Sequence, residues 1–279
     1  MDPLSSNRAR ASLAAVPRVA LMAMVFAQSL PAYEAAGGAP ALGVDEVVRR
    51  AQEQFQRLKA NLPDFICFEK VVSRSFIRGW PQKPVVVVSR FTGRQVPDPS
   101  TDLKFRESRV VKTVNGHPPP KGWHYDDLFS FGGGFSSALA TVIGAHAPRH
   151  QTYHLGPREW IEGKPALVVF FVSKPRDPGL FIQIEGRAVP YRDSGKAWID
   201  PVSFEVLRLQ LRLRYATRPP RTLTVEIVYR EVEIAGGVYP LPAKVIARQP
   251  VTRSLGGRYL AQYSDYRKFT TDATIEFPH

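Results

Sequence analysis

Two periodicities divide the chain. Between Asp45 and Ala60 apolar residues recur at helical spacing: Val47, Val48, Ala51, Phe55 and Leu58 fall on one face, while Arg49, Arg50, Glu53 and Arg57 fall mostly elsewhere. This predicts an amphipathic helix with Asp45 as its cap and Asn61-Leu62-Pro63 as its end. From Asp64 onward the pattern becomes that of strands. Residues 64–78, 85–90 and 103–114 read as three strands, the last running into the Asn115-Gly116 turn signal. A Pro-rich loop (117–124) and a glycine corner (131–135) follow. Ser136–Ala147 then predicts a short helix, capped by Ser136 and stopped by Pro148. The second half reads as hairpins: 152–161 with 166–172, a short strand at 181–184 before Gly186, 197–200 with 204–215 across Asp200-Pro201, 222–234 with 238–247 across Gly236-Gly237, and 259–277. Successive strands joined by short turns predict an antiparallel meander.

One strand carries the clearest signal. Leu207, Leu209, Leu211, Leu213 and Tyr215 alternate with Arg208, Gln210, Arg212 and Arg214, so one face is dry and the other wet. A slip by one residue would bury three arginines, which fixes the register. A wide sheet of this kind has one apolar face to cover. Two helices are too few for a doubly wound fold, but they suffice for the concave side of a strongly curved sheet. The expected fold is α+β, mostly β: an incomplete (half) barrel whose concave face is covered by an N-terminal helix and a short second helix, as one domain over residues 44–279.

Composition narrows the setting. The 279 residues carry a net charge of +13, with 27 Arg against 11 Lys. That excess suits anionic partners; the plainer reading is a solvated, arginine-rich surface. Arg8, Arg10 and Arg18, then the apolar run Val19–Phe26, then Ala32, Ala35 and Ala36, read as a secretory signal over residues 1–36, with 37–43 a flexible lead-in. The apolar run is too short to span a bilayer as a helix. No cysteine stands near the cleavage zone, so a lipid-anchored N-terminus is not expected. Periplasmic localisation follows, which weakens nucleic acid as a partner. The single cysteine, Cys67, lies between Phe65, Ile66 and Phe68. It reads as a small buried hydrophobe, and no disulfide framework is available.

Candidate chemistry is sparse. His146, His150 and His154 stand four apart, but Pro148 interrupts a helix there, and an extended strand would hold His150 and His154 roughly 13 Å apart. Gly132–Gly134 lack the lysine pattern of a phosphate loop and read as a hinge or lid loop. Trp123-His124-Tyr125-Asp126-Asp127 places an imidazole beside carboxylates, yet adjacency alone does not aim them together. No nucleophile elbow or zinc-protease motif is present. The expectation is a non-enzymatic protein with no catalytic residues, metal or cofactor.

The stretches AWIDPVSFEVLRL (197–209), YREVEIAGGVYPLPAKV (229–245) and YSDYRKF (263–269), together with the signal and the helix at 45–60, resemble the LolA-like periplasmic lipoprotein carriers and their half-barrel relatives. The resemblance implies an antiparallel sheet wrapped around helices, with an acyl chain held between them. The apolar residues placed to line such a cavity are Val48, Phe55, Leu139, Ile143, Leu207, Leu209, Leu211 and Leu213; the strand residues also fit an ordinary core. Opening would need helix 45–60 or segment 131–147 to move. The expected partner is a lipid or lipidated protein, bound by a monomer. The alternative is a non-catalytic envelope interaction module. It would dock an anionic membrane surface or a partner protein through a basic face of Arg208, Arg212, Arg214, Arg218 and Arg221.

Overall fold

The amphipathic N-terminal segment forms α1 (Val44–Asn61). The computed structural model describes residues 42–95, 105–132, 134–135, 137–175, 180–184, 187–217, 220–251 and 255–270; the signal segment and Arg218 lie outside the described residues. Gly43, not Asp45, occupies the cap position of α1; Asp45 sits in the first turn, where a carboxylate favours the positive end of the helix dipole. Val47, Val48, Ala51 and Phe55 are buried, as their spacing requires. The predicted second helix is divided. α2 (Ser137–Ile143) ends at Gly144, where a Cβ would lie 2.3 Å from the Ala140 carbonyl oxygen. Pro148 does not stop it but lies in the first turn of α3 (Ala147–His150), where a missing N–H costs nothing.

The strands are β1 (Phe65–Ile77), β2 (Trp80–Pro81), β3 (Val85–Gln95), β4 (Phe105–Val114), β5 (Gln151–Leu155), β6 (Glu159–Ile161), β7 (Lys164–Ser173), β8 (Leu180–Ile184), β9 (Arg187–Ile199), β10 (Val206–Tyr215), β11 (Arg221–Ile234), β12 (Gly237–Gln249) and β13 (Leu255–Lys268). Among the described residues ten of them form one continuous antiparallel path, β4-β3-β1-β13-β12-β11-β10-β9-β7-β5, with β2, β6 and β8 paired beside it. The sheet is curved and stays open. The chain starts inside it at β1, runs out to the edge strand β4, crosses to the opposite edge at β5, and winds back until β13 pairs β1. Residues 115–150 are therefore a crossover from one edge to the other. Asn115 and Gly116, both at positive φ, make the tight turn that begins it.

The crossover lies against the same sheet face as α1. Ser73 donates a hydrogen bond to the Phe129 carbonyl at 2.8 Å. Phe135 stacks on Phe91 at 4.5 Å between centroids and meets Phe65 and Tyr263 at 5.5 and 4.8 Å. Leu209, Leu211 and Leu213 are buried in this core with Ile227, Val245 and Ala261. Leu207 departs from the simple alternation. The pairing of β10 with β9 shifts between Val206 and Arg208, and this bulge packs Leu207 instead against a small second cluster of Ala166, Val168 and Trp198.

A Cβ on Gly257 would fall 2.2 Å from the Phe129 ring. Gly257→Ala is therefore expected to dislodge the crossover and cost about 1–3 kcal/mol in urea unfolding. An unchanged midpoint would mean that this packing is absent in solution.

Candidate functional site

The concave face is covered by α1, α2 and the crossover, and most of its apolar side chains are fully buried. An opening remains at the mouth between the two helices. There Phe55 and Leu58 of α1, Leu139 and Ile143 of α2, Phe204 and Tyr229 surround a small cleft with about 20 Å³ of free space. Its walls are mostly apolar. The polar side chains in its lining are Gln54, Glu205 and Tyr229; Tyr229 is 6% exposed and its hydroxyl has no hydrogen-bond partner among the described residues. Burial pushes this phenol far above the usual tyrosine range, so it stays protonated and can donate. A buried, unpaired hydroxyl costs stability and so calls for a reason. Its position follows from a register shift between Val228 and Tyr229, where β11 pairs β12 around Pro242. At the rim, Arg50 lies 4.9 Å over the Phe204 ring and bonds Glu46 at 2.6 Å. Burial raises the pKa of the neighbouring Glu205.

Helix α1 is tied down by few polar contacts. Gln52 donates to the Gly144 carbonyl at 3.1 Å, Tyr239 to the Asn61 carbonyl at 3.1 Å, and the Gln95 amide to the Leu62 and Lys59 carbonyls. The rest of its attachment is apolar burial, worth roughly 1.5–3 kcal/mol for each fully buried Val or Phe.

A second feature lies under the crossover. Glu69 is fully buried and receives both contacts of its ion pair from the Arg109 Nε, at 3.0 Å each. Arg109 also lies over the rings of Phe91 and Tyr125, at 4.8 and 5.2 Å. The Tyr125 hydroxyl meets that of Tyr259 at 3.3 Å. The pair thus joins the edge strand β4 to β1 and carries the crossover on top. Burial raises Glu69 above the usual carboxylate range, against the opposing pull of Arg109 and Tyr263. For Arg109 burial works against the charge, but the Glu69 carboxylate outweighs it and holds the guanidinium protonated. His124 and Asp127, a candidate acid–base pair in the sequence, instead cap the short 3-10 turn Tyr125–Asp127. Burial pushes the Cys67 thiol well up, which leaves it a poor nucleophile.

The residues singled out from the sequence are only partly brought together. Phe55, Leu139 and Ile143 meet at the cleft. Val48, Leu209, Leu211 and Leu213 are buried core residues away from it, and Leu207 belongs to the other cluster. The basic face is also uneven. Arg208 bonds Glu226 at 2.9 Å and lies over Trp198. Arg212 and Arg214 are exposed, while Arg221 is half-buried opposite Tyr215. Tyr229, Phe135 and the Glu69–Arg109 pair were not singled out. Their signal in the sequence, isolated polar or aromatic residues inside strands and a loop, is shared by many positions with no such role.

No family model matches the chain, and no curated protein matches it in sequence. Among solved structures it is similar in overall fold to a putative outer membrane lipoprotein-sorting protein domain from Vibrio parahaemolyticus (12% identity, covering 81% of this chain and 93% of that one, TM-score 0.39). It is also similar to a DUF1329 family protein from Desulfovibrio piger (12% identity, 84% and 96% covered, TM-score 0.39). A LolA superfamily protein from Nitrosomonas europaea matches at 10% identity, 82% and 95% covered, TM-score 0.35.

Because the folded chain holds the Glu69 proton more tightly than the unfolded one, stability should fall as pH rises from the ordinary glutamate range through the raised value. Glu69→Gln is expected to flatten that slope in urea titrations at stepped pH. Arg109→Met, which leaves a buried carboxylate unpaired, is expected to cost about 3–5 kcal/mol at neutral pH. A slope unaltered by Glu69→Gln would show that this carboxyl is not the source.

Proposed function

We propose that this protein is a non-catalytic periplasmic carrier that holds a lipid, or the acyl chain of a lipidated protein, on the concave face of its sheet. The observation that carries this reading is the unpaired, buried Tyr229 hydroxyl in an apolar cleft that opens between two helices. Mostly apolar walls with a buried, unused hydroxyl suit a hydrocarbon chain that ends in a carboxyl or ester oxygen. Apolar burial supplies the affinity, about 0.8 kcal/mol per methylene, and the hydroxyl fixes the end of the chain. With about 20 Å³ of free space the closed cleft has room for little more than a water molecule, so a chain enters only as α1 and α2 part. Further entry requires Phe135 to leave the aromatic box of Phe65, Phe91 and Tyr263. The guest then takes over the burial that Phe135 gives up.

A fluorescent fatty acid should bind the purified protein saturably, and native mass spectrometry of protein taken from its own envelope should retain lipid. Failure of both overturns the reading. Tyr229→Phe is expected to weaken fatty-acid binding about five- to tenfold while stability holds or rises, since a buried unpaired hydroxyl is removed. Phe135→Ala should cost about 3–5 kcal/mol of stability and speed uptake. Uptake unaffected by either change would place the guest elsewhere.

A further inference from the structure

The ends of the strands on one side of the sheet carry an unusual surface. The last residues of β1 and the two of β2 form a hairpin in which Ile77 pairs Trp80, and Arg78 and Gly79 turn at positive φ, a tight two-residue tip. Pairing of β1 with β3 stops at Ser73–Val85, so the tip projects past that neighbour. Ile77 is 50% and Trp80 75% exposed. Val251, also exposed, packs on Gly256, the residue paired with Phe76. Beside this apolar tip runs a row of arginines. Arg74 pairs Arg258 and Arg258 pairs Arg248; through Thr224 the same row reaches Arg212. All four arginines are exposed and lie on the face away from the helices, whereas strand alternation turns Ile77 and its partner Trp80 to the other face, so tip and row share a surface only along the ends of the strands. Four inter-strand steps of about 4.8 Å make the row about 19 Å long.

Like charges directly opposite one another destabilise a sheet. Among the described residues no carboxylate stands in this row, and the nearest on the same face, Glu226, is engaged by Arg208 at 2.9 Å. The arginines are thus complementary to something negative outside the chain. The tip narrows the choice. A projecting Trp-Ile pair has no use for a purely charged partner, but an aromatic ring and an aliphatic side chain suit the boundary between headgroups and acyl chains. Arginines beside it can stretch their polar ends to phosphates.

We infer that the protein docks on an anionic phospholipid bilayer, with Ile77 and Trp80 inserted at the interface and Arg74, Arg258, Arg248 and Arg212 against the lipid phosphates. This places the contact on a different part of the sheet from the basic face read from the sequence, sharing only Arg212. It is independent of the concave cleft.

The test is co-sedimentation with vesicles of phosphatidylcholine containing about one-third phosphatidylglycerol, against phosphatidylcholine alone; a basic residue near an anionic surface contributes about fivefold in affinity. The full chain should bind the anionic vesicles and leave the neutral ones, and high salt should release it. The triple reversal Arg74→Glu, Arg248→Glu, Arg258→Glu should weaken binding at least a hundredfold. Ile77→Ser with Trp80→Ala should weaken it at least tenfold without altering its salt dependence. These residues are exposed, so circular dichroism and fatty-acid uptake should be unchanged, which separates this docking from the carrier reading. Absence of binding to anionic vesicles overturns the inference, as does binding indifferent to both sets of substitutions. If polyglutamate in solution binds as tightly as the vesicles and Trp80→Ala has no effect, the partner is an acidic protein and the membrane assignment is wrong.

Discussion

An open curved sheet has one apolar face that its own strands cannot hide, and the rest of this structure answers to that constraint. A closed barrel would fill its interior with side chains from all round. Here the edges β4 and β5 stay apart, and the cover must come from elsewhere in the chain. It comes in two pieces of different character. Helix α1 presents four buried residues along one stripe. The crossover is largely irregular chain, and it covers its share through single aromatics set into the sheet, Phe129 over Gly257 and Phe135 in its box.

That division has consequences for motion and binding. A helix with a continuous apolar stripe leaves the sheet only as a unit. A loop set into the sheet at separated aromatic positions is held at each of them independently. The Glu69–Arg109 pair works in the opposite direction: it fixes the edge strand β4 to β1 and seats Tyr125 above it. The cleft lies at the far end of the crossover from this anchor, where α1 and α2 meet. Anchor, cover and cleft thus follow one another along a single stretch of chain. The outer face serves another purpose, since its charges are sorted by position. Arg208 is neutralised by Glu226, whereas the arginines at the strand ends have no acidic counterpart in their row.

Much of this was present in the sequence. The helical stripe of residues 45–60 and the alternation along 207–215 fixed one helix and one strand face, because burial of a face imposes its period directly on the side chains. The turn at Asn115-Gly116 falls on residues that tolerate positive φ, whereas the turn expected at Gly236-Gly237 lies one residue earlier, on Ala235-Gly236, where Ala235 is held at a positive φ that its side chain disfavours. Local readings failed for local reasons: Gly43 rather than Asp45 caps α1, Pro148 begins a helical turn, and a bulge redirects Leu207.

What the sequence could not determine is whatever depends on a partner remote in the chain. Residues 187–196 have too little apolar alternation to announce a strand, yet β9 forms there because β8 pairs Arg187–Tyr191, β10 pairs it from Tyr191 onward and β7 from Ser194 onward. Gly195 is required only because the Gln210 carbonyl lies where its Cβ would be. The unpaired Tyr229 hydroxyl, the Glu69–Arg109 pair and the row Arg74–Arg258–Arg248 are equally invisible before folding, since their members are separated by tens to nearly two hundred residues. Local pattern sets which face of an element is dry. Only the register of the assembled sheet decides which polar groups on the other strands come to meet, and which are left without a partner.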